Sequence, residues 1–187
     1  MKHPPQIRNE LETIGKGKFL ELVKDGQWEY CRRTHSTDVV FIIPLLEHLD
    51  ENCLILISEY RPAIGKDVVG FPAGLVGDVR DGETELEAAH TELIEETGYK
   101  AGKMTFLTKG PPSAGMSNEI ISFYLATELE LVGSPEKGIV PVLISYDNIQ
   151  ERLDEIELDG KSMIDPKTFI GLYFVEQYLF CLAEKRG

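Results

Sequence analysis

Glu83, Glu92, Glu95 and Glu96 form the most chemically specific pattern in this sequence of 187 residues. On a helix, Glu92 and Glu96 lie one turn apart on the same face, and Glu95 lies beside them. Stacked like charges destabilise a helix by roughly a few tenths of a kcal/mol per pair, and a divalent cation between them removes that repulsion. The spacing therefore predicts either a site for Mg²⁺, with Mn²⁺ as a substitute, or a plain acidic surface.

The elements that must position these glutamates follow from the hydrophobic pattern. Runs rich in β-branched and aromatic residues at 19–23, 28–33, 38–45 and 53–60 predict antiparallel strands, with turn signals at 24–26 and 50–52. A helix is predicted over residues 83–97. Its expected core stripe is Leu86, Ala89, Leu93 and Thr97, and Gly98 is expected to end it.

Further strands are predicted downstream of this helix at residues 103–108, 119–127 and 140–146, and helices at 147–156 and from Asp165-Pro166 onward. The loop over residues 110–118 is long enough that a functional role is expected. Apolar residues wrap most of the last helix. This pattern predicts burial against a sheet on one side and contact with another subunit on the other.

The spacing from residue 77 to residue 99 resembles the signature of the Nudix family. The positions in register are Gly77, Glu83, Glu92, Leu93, Glu95, Glu96, Gly98 and Tyr99. One specified position departs, because Thr91 stands where the family has an arginine. The match is far more specific than a lone glycine-rich loop.

A Pro-Ala-Gly turn at residues 72–74 is similar to the turn at which relatives acting on ADP-ribose and nucleotide sugars begin this signature. Gly74 is then the structural equivalent of the signature glycine, and residues 75–82 carry a three-residue insertion. The resemblance implies an α/β fold, a Nudix-type α/β/α sandwich with a mixed β-sheet. It places a small N-terminal antiparallel β extension at residues 1–36, with a possible role in dimerisation, and the catalytic domain at residues 37–187.

The resemblance also implies roles for individual residues. Metal ligation falls to Glu92, Glu95, Glu96 and the backbone carbonyl of Ala73. Catalytic roles fall to Glu83, Glu95 and Glu119, with Glu119 as the base that activates the attacking water. Substrate contacts are expected from Arg61 to the diphosphate, from Trp28 by base stacking, and from Ser117 in the loop before Glu119. Plainer explanations stay open: an exposed strand start for Glu119, a surface ion pair for Arg61 and a core position for Trp28.

Two departures from the family pattern bear on activity and specificity. The arginine replaced by Thr91 normally pairs with the first signature glutamate, so Glu83 is expected to lack an obvious partner. Neighbouring His90 could donate a hydrogen bond instead, although a satisfied histidine at the core edge is the commoner explanation. Ala114 stands where members specific for ADP-ribose usually carry proline, which leaves room for other nucleotide sugars.

Composition limits the compartment and the partners. The formal net charge of −13 argues against nucleic acid or an anionic membrane as a partner. The longest apolar runs are too short to span a bilayer, and the N-terminal residues lack the apolar core of a secretion signal, so a cytoplasmic location is expected. Cys31, Cys53 and Cys181 are predicted to be reduced and mostly buried thiols.

The sequence thus predicts a Mg²⁺-dependent pyrophosphohydrolase acting on ADP-ribose or a nucleoside diphosphate sugar, and acting as a homodimer. The products would be a nucleoside monophosphate and a sugar phosphate. Two alternatives stay open: a catalytically impaired nucleotide-binding module, suggested by Thr91, and a nucleoside triphosphate pyrophosphatase.

Overall fold

A computed structural model describes residues 11–35, 38–47, 51–77, 80 and 82–186. Within these residues the chain forms eleven strands and three α-helices. The strands are β1 Glu12–Lys16, β2 Leu20–Asp25, β3 Trp28–Arg33, β4 Asp38–Glu47, β5 Asn52–Arg61, β6 Lys66–Gly70, β7 Ala73–Leu75, β8 Tyr99–Gly110, β9 Ile120–Leu131, β10 Val140–Ser145 and β11 Ser162–Ile164. The helices are α1 Glu85–Thr97, α2 Ile149–Leu158 and α3 Lys167–Arg186.

The N-terminal strands form a separate antiparallel sheet in the order β1-β2-β3. This confirms the predicted N-terminal β extension, although β1 was not predicted, because all five of its residues are exposed and it shows no apolar alternation. The predicted boundary between residues 36 and 37 lies outside the described residues, and the division into two domains stays a prediction.

The larger sheet is mixed and has β4 near its centre. Strand β4 runs parallel to β9 and antiparallel to β5 and β7, while β8 pairs with β9 and β6 pairs with β5, both antiparallel. Strands β10 and β11 complete it beside β5 and β6. The short strands β6, β7 and β11 were not predicted. The mixed sheet itself confirms the fold class.

Alternation along β4 divides the core into two layers. Val40 and Ile42 pack with Ala89 and Leu93 of α1 on one face of the sheet. The intervening Phe41 and Ile43 belong to a second cluster that contains Leu153 of α2 and Val175 of α3. Since period-2 alternation sends neighbouring residues to opposite faces, β4 builds the helix–sheet–helix sandwich.

Three sequence predictions about burial need correction or remain open. Leu86 is 45% exposed, so the buried stripe of α1 begins at Ala88 and Ala89, and it includes Glu96. The three cysteines are free as predicted, but Cys31 and Cys53 are half-buried and Cys181 is exposed. Helix α3 leaves Phe169, Ile170, Tyr173 and Phe180 exposed, which leaves its contact with another subunit a prediction.

Candidate active site

Helix α1 is held firmly at both ends. Thr84 caps its first turn in a capping box, accepting from the Glu87 N–H while the Glu87 side chain accepts from the Thr84 N–H. Gly98 ends the helix with a φ of 79°, as predicted. The helix begins at Glu85 and not at residue 83, because the capping box fixes the start at Thr84. Glu83 therefore belongs to the preceding loop.

Glu96 is a buried carboxylate at the centre of the site. Its side chain is 7% exposed, and its Oε2 accepts a hydrogen bond of 2.8 Å from the backbone N–H of Ala73. The pKa of Glu96 is raised to about 8, mainly by burial; the hydrogen bond from the Ala73 N–H acts in the opposite direction, and the charge of Glu92 contributes to the rise. A cation bound at this carboxylate would remove the penalty that burial imposes on its charge.

The Pro-Ala-Gly turn and α1 approach each other too closely for any side chain at residue 74. A Cβ atom built on Gly74 would lie 1.8 Å from the Cδ of Glu92. The Glu92 carboxyl group thus occupies the space where that side chain would be. This approach supports Gly74 as the structural equivalent of the signature glycine, and it places Glu92 and Glu96 together against residues 73 and 74.

Glu95 stands on the neighbouring side of α1. Burial raises the pKa of Glu95, and the charges of Glu136 and then Glu83 raise it further. Glu83 and Glu95 are therefore near enough to repel each other, although they are separated by most of the helix.

The donor atoms suit a hard divalent cation. Carboxylate oxygens and a backbone carbonyl are the ligands that Mg²⁺ takes, together with water. Within the described residues, no three histidine, cysteine or acidic side chains converge closely enough to hold a metal ion by themselves.

A cleft of about 600 Å³ opens beside the Pro-Ala-Gly turn. Ala73 and Gly74 form part of its wall, so the glutamate cluster borders it. Its charged lining consists of Arg33, Glu59, Arg61, Glu119, Asp165 and Lys167. Arg61 pairs with Glu59 at 2.9 Å and is half-exposed, so it makes an ion pair and also faces the cleft. Three basic and three acidic side chains balance one another in this lining, whereas the chain as a whole has a net charge of −13.

Glu119 lines the same cleft and is fixed from the other sheet. Arg33 of β3 donates from Nε to Glu119 Oε1 at 2.9 Å, joining residues 86 positions apart in sequence. Arg33 was missed from sequence because an arginine in an amphipathic strand gives no sign of so distant a partner. The Ser117 hydroxyl accepts from the backbone N–H of Glu119 at 3.4 Å.

The remaining two predicted substrate contacts lie outside the cleft of this single chain. Trp28 begins β3 and is 64% exposed, so it is not a core residue. Ser117 is half-buried in the loop and orients the backbone before Glu119. Neither residue is among those that line the cleft within the described part of the chain. Their roles in substrate binding stay predictions.

Glu83 has partners that the sequence did not suggest. Its side chain is 1% exposed; its Oε2 accepts from the Gly77 N–H at 3.1 Å, and its Oε1 lies 4.0 Å from Arg80 Nη2. The expectation that Glu83 lacks an obvious partner is therefore wrong. The hydrogen bond comes from Gly77 and not from His90. Both partners lie in the loop before the helix, where no helical periodicity could indicate them.

Helix α1 and the larger sheet, apart from β11, lie within a stretch of the chain that matches a known family. Residues 35–161 match the NUDIX domain family, which is more than half of the chain. The chain belongs to the Nudix family. This confirms the resemblance drawn from the glutamate spacing, and with it the prediction of a Nudix hydrolase. Hydrolases of this family generally depend on a divalent metal ion.

Curated relatives of this Nudix protein carry several names. An ADP-sugar pyrophosphatase of Mus musculus is 40% identical over 91 residues, 48% of this chain and 38% of the relative. A methanol dehydrogenase activator of Bacillus methanolicus is 32% identical over 176 residues, 89% of this chain and 90% of the relative. An ADP-ribose pyrophosphatase of Bacillus subtilis (strain 168) is 34% identical over 124 residues, 65% of each chain. The chain therefore spans well under half of the first of these and most of the second.

A solved structure supports the fold. The crystal structure of an ADP compounds hydrolase superposes with a TM-score of 0.68 over 92% of this chain and 92% of that chain, at 24% identity. At this level of identity the similarity establishes the Nudix sandwich and does not extend to the substrate. No helix in the described part of the chain is both long and apolar enough to cross a membrane.

Proposed function

We propose that this Nudix protein is a Mg²⁺-dependent pyrophosphohydrolase that cleaves ADP-ribose or a related nucleoside diphosphate sugar. The observation that carries the proposal is the contact of Glu96 and Glu92 with the Pro-Ala-Gly turn, because it places a partly buried acidic cluster at the edge of a cleft whose lining includes three basic side chains. The products would be a nucleoside monophosphate and a sugar phosphate.

The glutamates and the Ala73 carbonyl would hold the metal. Glu92, Glu95 and Glu96 supply carboxylate oxygens, and the residue-73 backbone lies against Glu96. Bound there, Mg²⁺ would neutralise charge on the diphosphate and polarise the phosphorus–oxygen bonds. The buried position of Glu96 keeps this carboxylate fixed, so little reorganisation accompanies catalysis.

The cleft residues would bind the diphosphate and activate water. Arg61 presents a planar guanidinium, which suits phosphate oxygens, and Glu59 restrains it. Glu119 would accept the proton of the attacking water, and the hydrogen bond from Arg33 holds this carboxylate in the cleft. Lys167, which pairs with Asp165, also lines the cleft and would offer a second cation to the substrate.

The substrate class is supported by the relatives as well as by the site. The curated relatives named for ADP-ribose or ADP-sugars make an ADP-linked small molecule the first choice. A homodimer and a cytoplasmic location are parts of the same proposal. Trp28 would then stack a base only if the exposed edge of the N-terminal sheet reaches the cleft of a second copy.

A panel of substrates tests the proposal. The full chain is incubated with ADP-ribose, ADP-glucose, UDP-glucose, GDP-mannose, NADH and ATP, each with Mg²⁺, with Mn²⁺ and with EDTA, and the products are separated by ion-exchange chromatography. We expect AMP and a sugar phosphate from an ADP-linked substrate, and no product in EDTA. Binding of ADP-ribose without product would instead favour a binding module, and pyrophosphate released from ATP would favour a triphosphatase.

A further inference from the structure

We propose that Arg80 is a positioning residue that takes the place of the missing signature arginine by neutralising Glu83. Glu83 is 1% exposed, and its Oε1 accepts no hydrogen bond from the described residues. The guanidinium of Arg80 lies 4.0 Å from that oxygen. A buried carboxylate oxygen without a donor requires a nearby positive charge, and Arg80 provides one.

Thr91 cannot fill this role. Its hydroxyl donates to the backbone carbonyl of Glu87 at 3.1 Å, one turn back on the same helix. The side chain at the family's arginine position is therefore engaged with its own helix and contributes no charge to Glu83. The cation comes from the other side, from the loop before the helix.

The loop has a geometry that delivers both partners to Glu83. Gly77 has a φ of +83°, which side chains other than glycine rarely adopt, and its N–H donates to Glu83 Oε2 at 3.1 Å. The Glu83 N–H in turn donates to the Arg80 carbonyl at 3.2 Å. Both partners lie between Gly74 and Glu83, where the sequence carries extra residues relative to the signature spacing. The inserted loop thus supplies the positive charge near Glu83 that Thr91 on the helix does not provide.

The consequence reaches the acidic cluster and rests on the proposed function. Glu83 is 1% exposed, accepts a hydrogen bond from the Gly77 N–H and stands directly before Thr84, the N-cap of α1. A neutralising partner for this buried carboxylate therefore holds the loop against the start of the helix that carries Glu92, Glu95 and Glu96. Without it, the cluster would bind a divalent cation less tightly.

The test compares Arg80→Ala with Arg80→Lys and with the double variant Arg80→Ala/Thr91→Arg. The separation of 4.0 Å is too long for a hydrogen bond, so charge alone should suffice and lysine should substitute. Arg152→Ala serves as the matched control, because Arg152 makes an exposed ion pair with Glu155 at the same i,i+3 spacing on α2, away from the cleft. For each variant, kcat and KM for ADP-ribose, the Mg²⁺ concentration at half-maximal rate and the Mg²⁺-induced shift in Tm are measured.

We expect Arg80→Ala to lower kcat about tenfold and to raise the Mg²⁺ concentration at half-maximal rate about tenfold, with little change in KM, because it removes a residue that supports metal ligands. For Arg80→Lys and for the double variant, we expect both quantities to stay within about threefold of those of the original protein. Arg152→Ala should change neither quantity. The inference is overturned if Arg80→Ala behaves like Arg152→Ala, or if Thr91→Arg restores nothing to a folded Arg80→Ala protein.

The Tm measurement separates this inference from the proposed function. If the original protein cleaves no substrate of the panel, the proposed function fails, but the Mg²⁺-induced Tm shift still reports on Arg80. A smaller Mg²⁺ shift in Arg80→Ala, restored by Thr91→Arg, supports the positioning role. Equal Mg²⁺ shifts in all variants contradict it.

Discussion

Glu96 and Glu119 border the same cleft but are held in opposite ways. Glu96 is buried on a capped helix and accepts a hydrogen bond from the backbone N–H of Ala73 in the adjacent turn. Glu119 follows a long loop, is partly exposed, and depends on an arginine side chain from a separate sheet. A backbone donor in a rigid element fixes a carboxylate permanently, whereas a side chain from another sheet fixes it only while the two sheets keep their relative position.

The contrast separates two tasks of the proposed reaction. A ligand that holds a cation benefits from a fixed position, because it need not move between substrate binding and product release. A base that receives a proton from water must tolerate both a charged and a neutral state, which is easier at a partly exposed position. Variants that weaken one carboxylate at a time measure whether this division is real.

Glu96→Gln should cause the largest loss of activity. The amide oxygen can still accept from the Ala73 N–H, so the fold should persist, but the negative charge for the cation is gone. We expect kcat/KM with Mg²⁺ to fall by about a thousandfold or more, as loss of several kcal/mol of metal-dependent stabilisation implies. Glu87→Gln is the matched control on the same helix, since glutamine preserves the capping box. Full activity in Glu96→Gln would remove Glu96 from the mechanism.

Glu119→Gln should cause a smaller loss, confined to the chemical step. Glutamine can keep the hydrogen bond from Arg33 but accepts no proton from water, so we expect kcat to fall by about a hundredfold with KM nearly unchanged. Glu130→Gln, at the exposed far end of β9, is the control. A change in KM alone would show that Glu119 binds substrate and does not act as a base.

Arg33→Ala should cost about tenfold in kcat/KM, or roughly 1.4 kcal/mol, because Glu119 loses the donor that holds it in the cleft. Its neighbour Arg32 points to the other face of β3 and pairs with Glu21, which is 8% exposed. Arg32→Ala should therefore lower the free energy of unfolding by about 1 kcal/mol and leave kcat/KM nearly unchanged. Equal effects of the two variants on activity would mean that Arg33 acts only through the stability of the N-terminal sheet.

The metal-free protein should lose stability as pH rises, by a modest amount. The pKa of Glu96 is raised from 4.5 to about 8 in the folded chain, so between these values the unfolded chain has released a proton that the folded chain keeps. Folding then becomes less favourable with increasing pH, by at most about 1.4 kcal/mol per pH unit. In EDTA we expect the Tm of the original protein to fall by several degrees between pH 5 and pH 8. The fall in Tm should be smaller when Mg²⁺ is present, and smaller in the Glu96→Gln variant. A Tm slope identical in both proteins would contradict this assignment.

The features that could be predicted depend on residues that are close together in the sequence. The spacing of Glu92 and Glu96 on a helix, the end of α1 at Gly98 and the strands with strong apolar character follow from local periodicity. The buried position of Glu96 inside the stripe was not predicted, because a helical wheel assigns charged residues to solvent. It depends on the Ala73 N–H, which comes from an unrelated turn of the chain.

Contacts between distant or irregular segments could not be predicted. Arg33 meets Glu119 only after the N-terminal sheet packs against the loop, and Arg80 meets Glu83 only because the inserted loop turns at Gly77. Strands β6, β7 and β11 are defined mainly by their neighbours in the sheet, since five residues or fewer give no clear period. Most of the features that could not be predicted therefore depend on partners that are distant in the sequence.

Main-chain pairing ties the N-terminal sheet to the loop before Glu119, where Cys31 and Ser117 form a parallel β-bridge. The N–H of Cys31 in β3 donates to the carbonyl of Met116 at 2.8 Å. Removing the first three strands would therefore not simply shorten the protein, because it would detach the strand against which that loop is anchored. Any displacement of the small sheet would therefore be transmitted through Cys31 and Arg33 to the loop before Glu119 and to Glu119 itself.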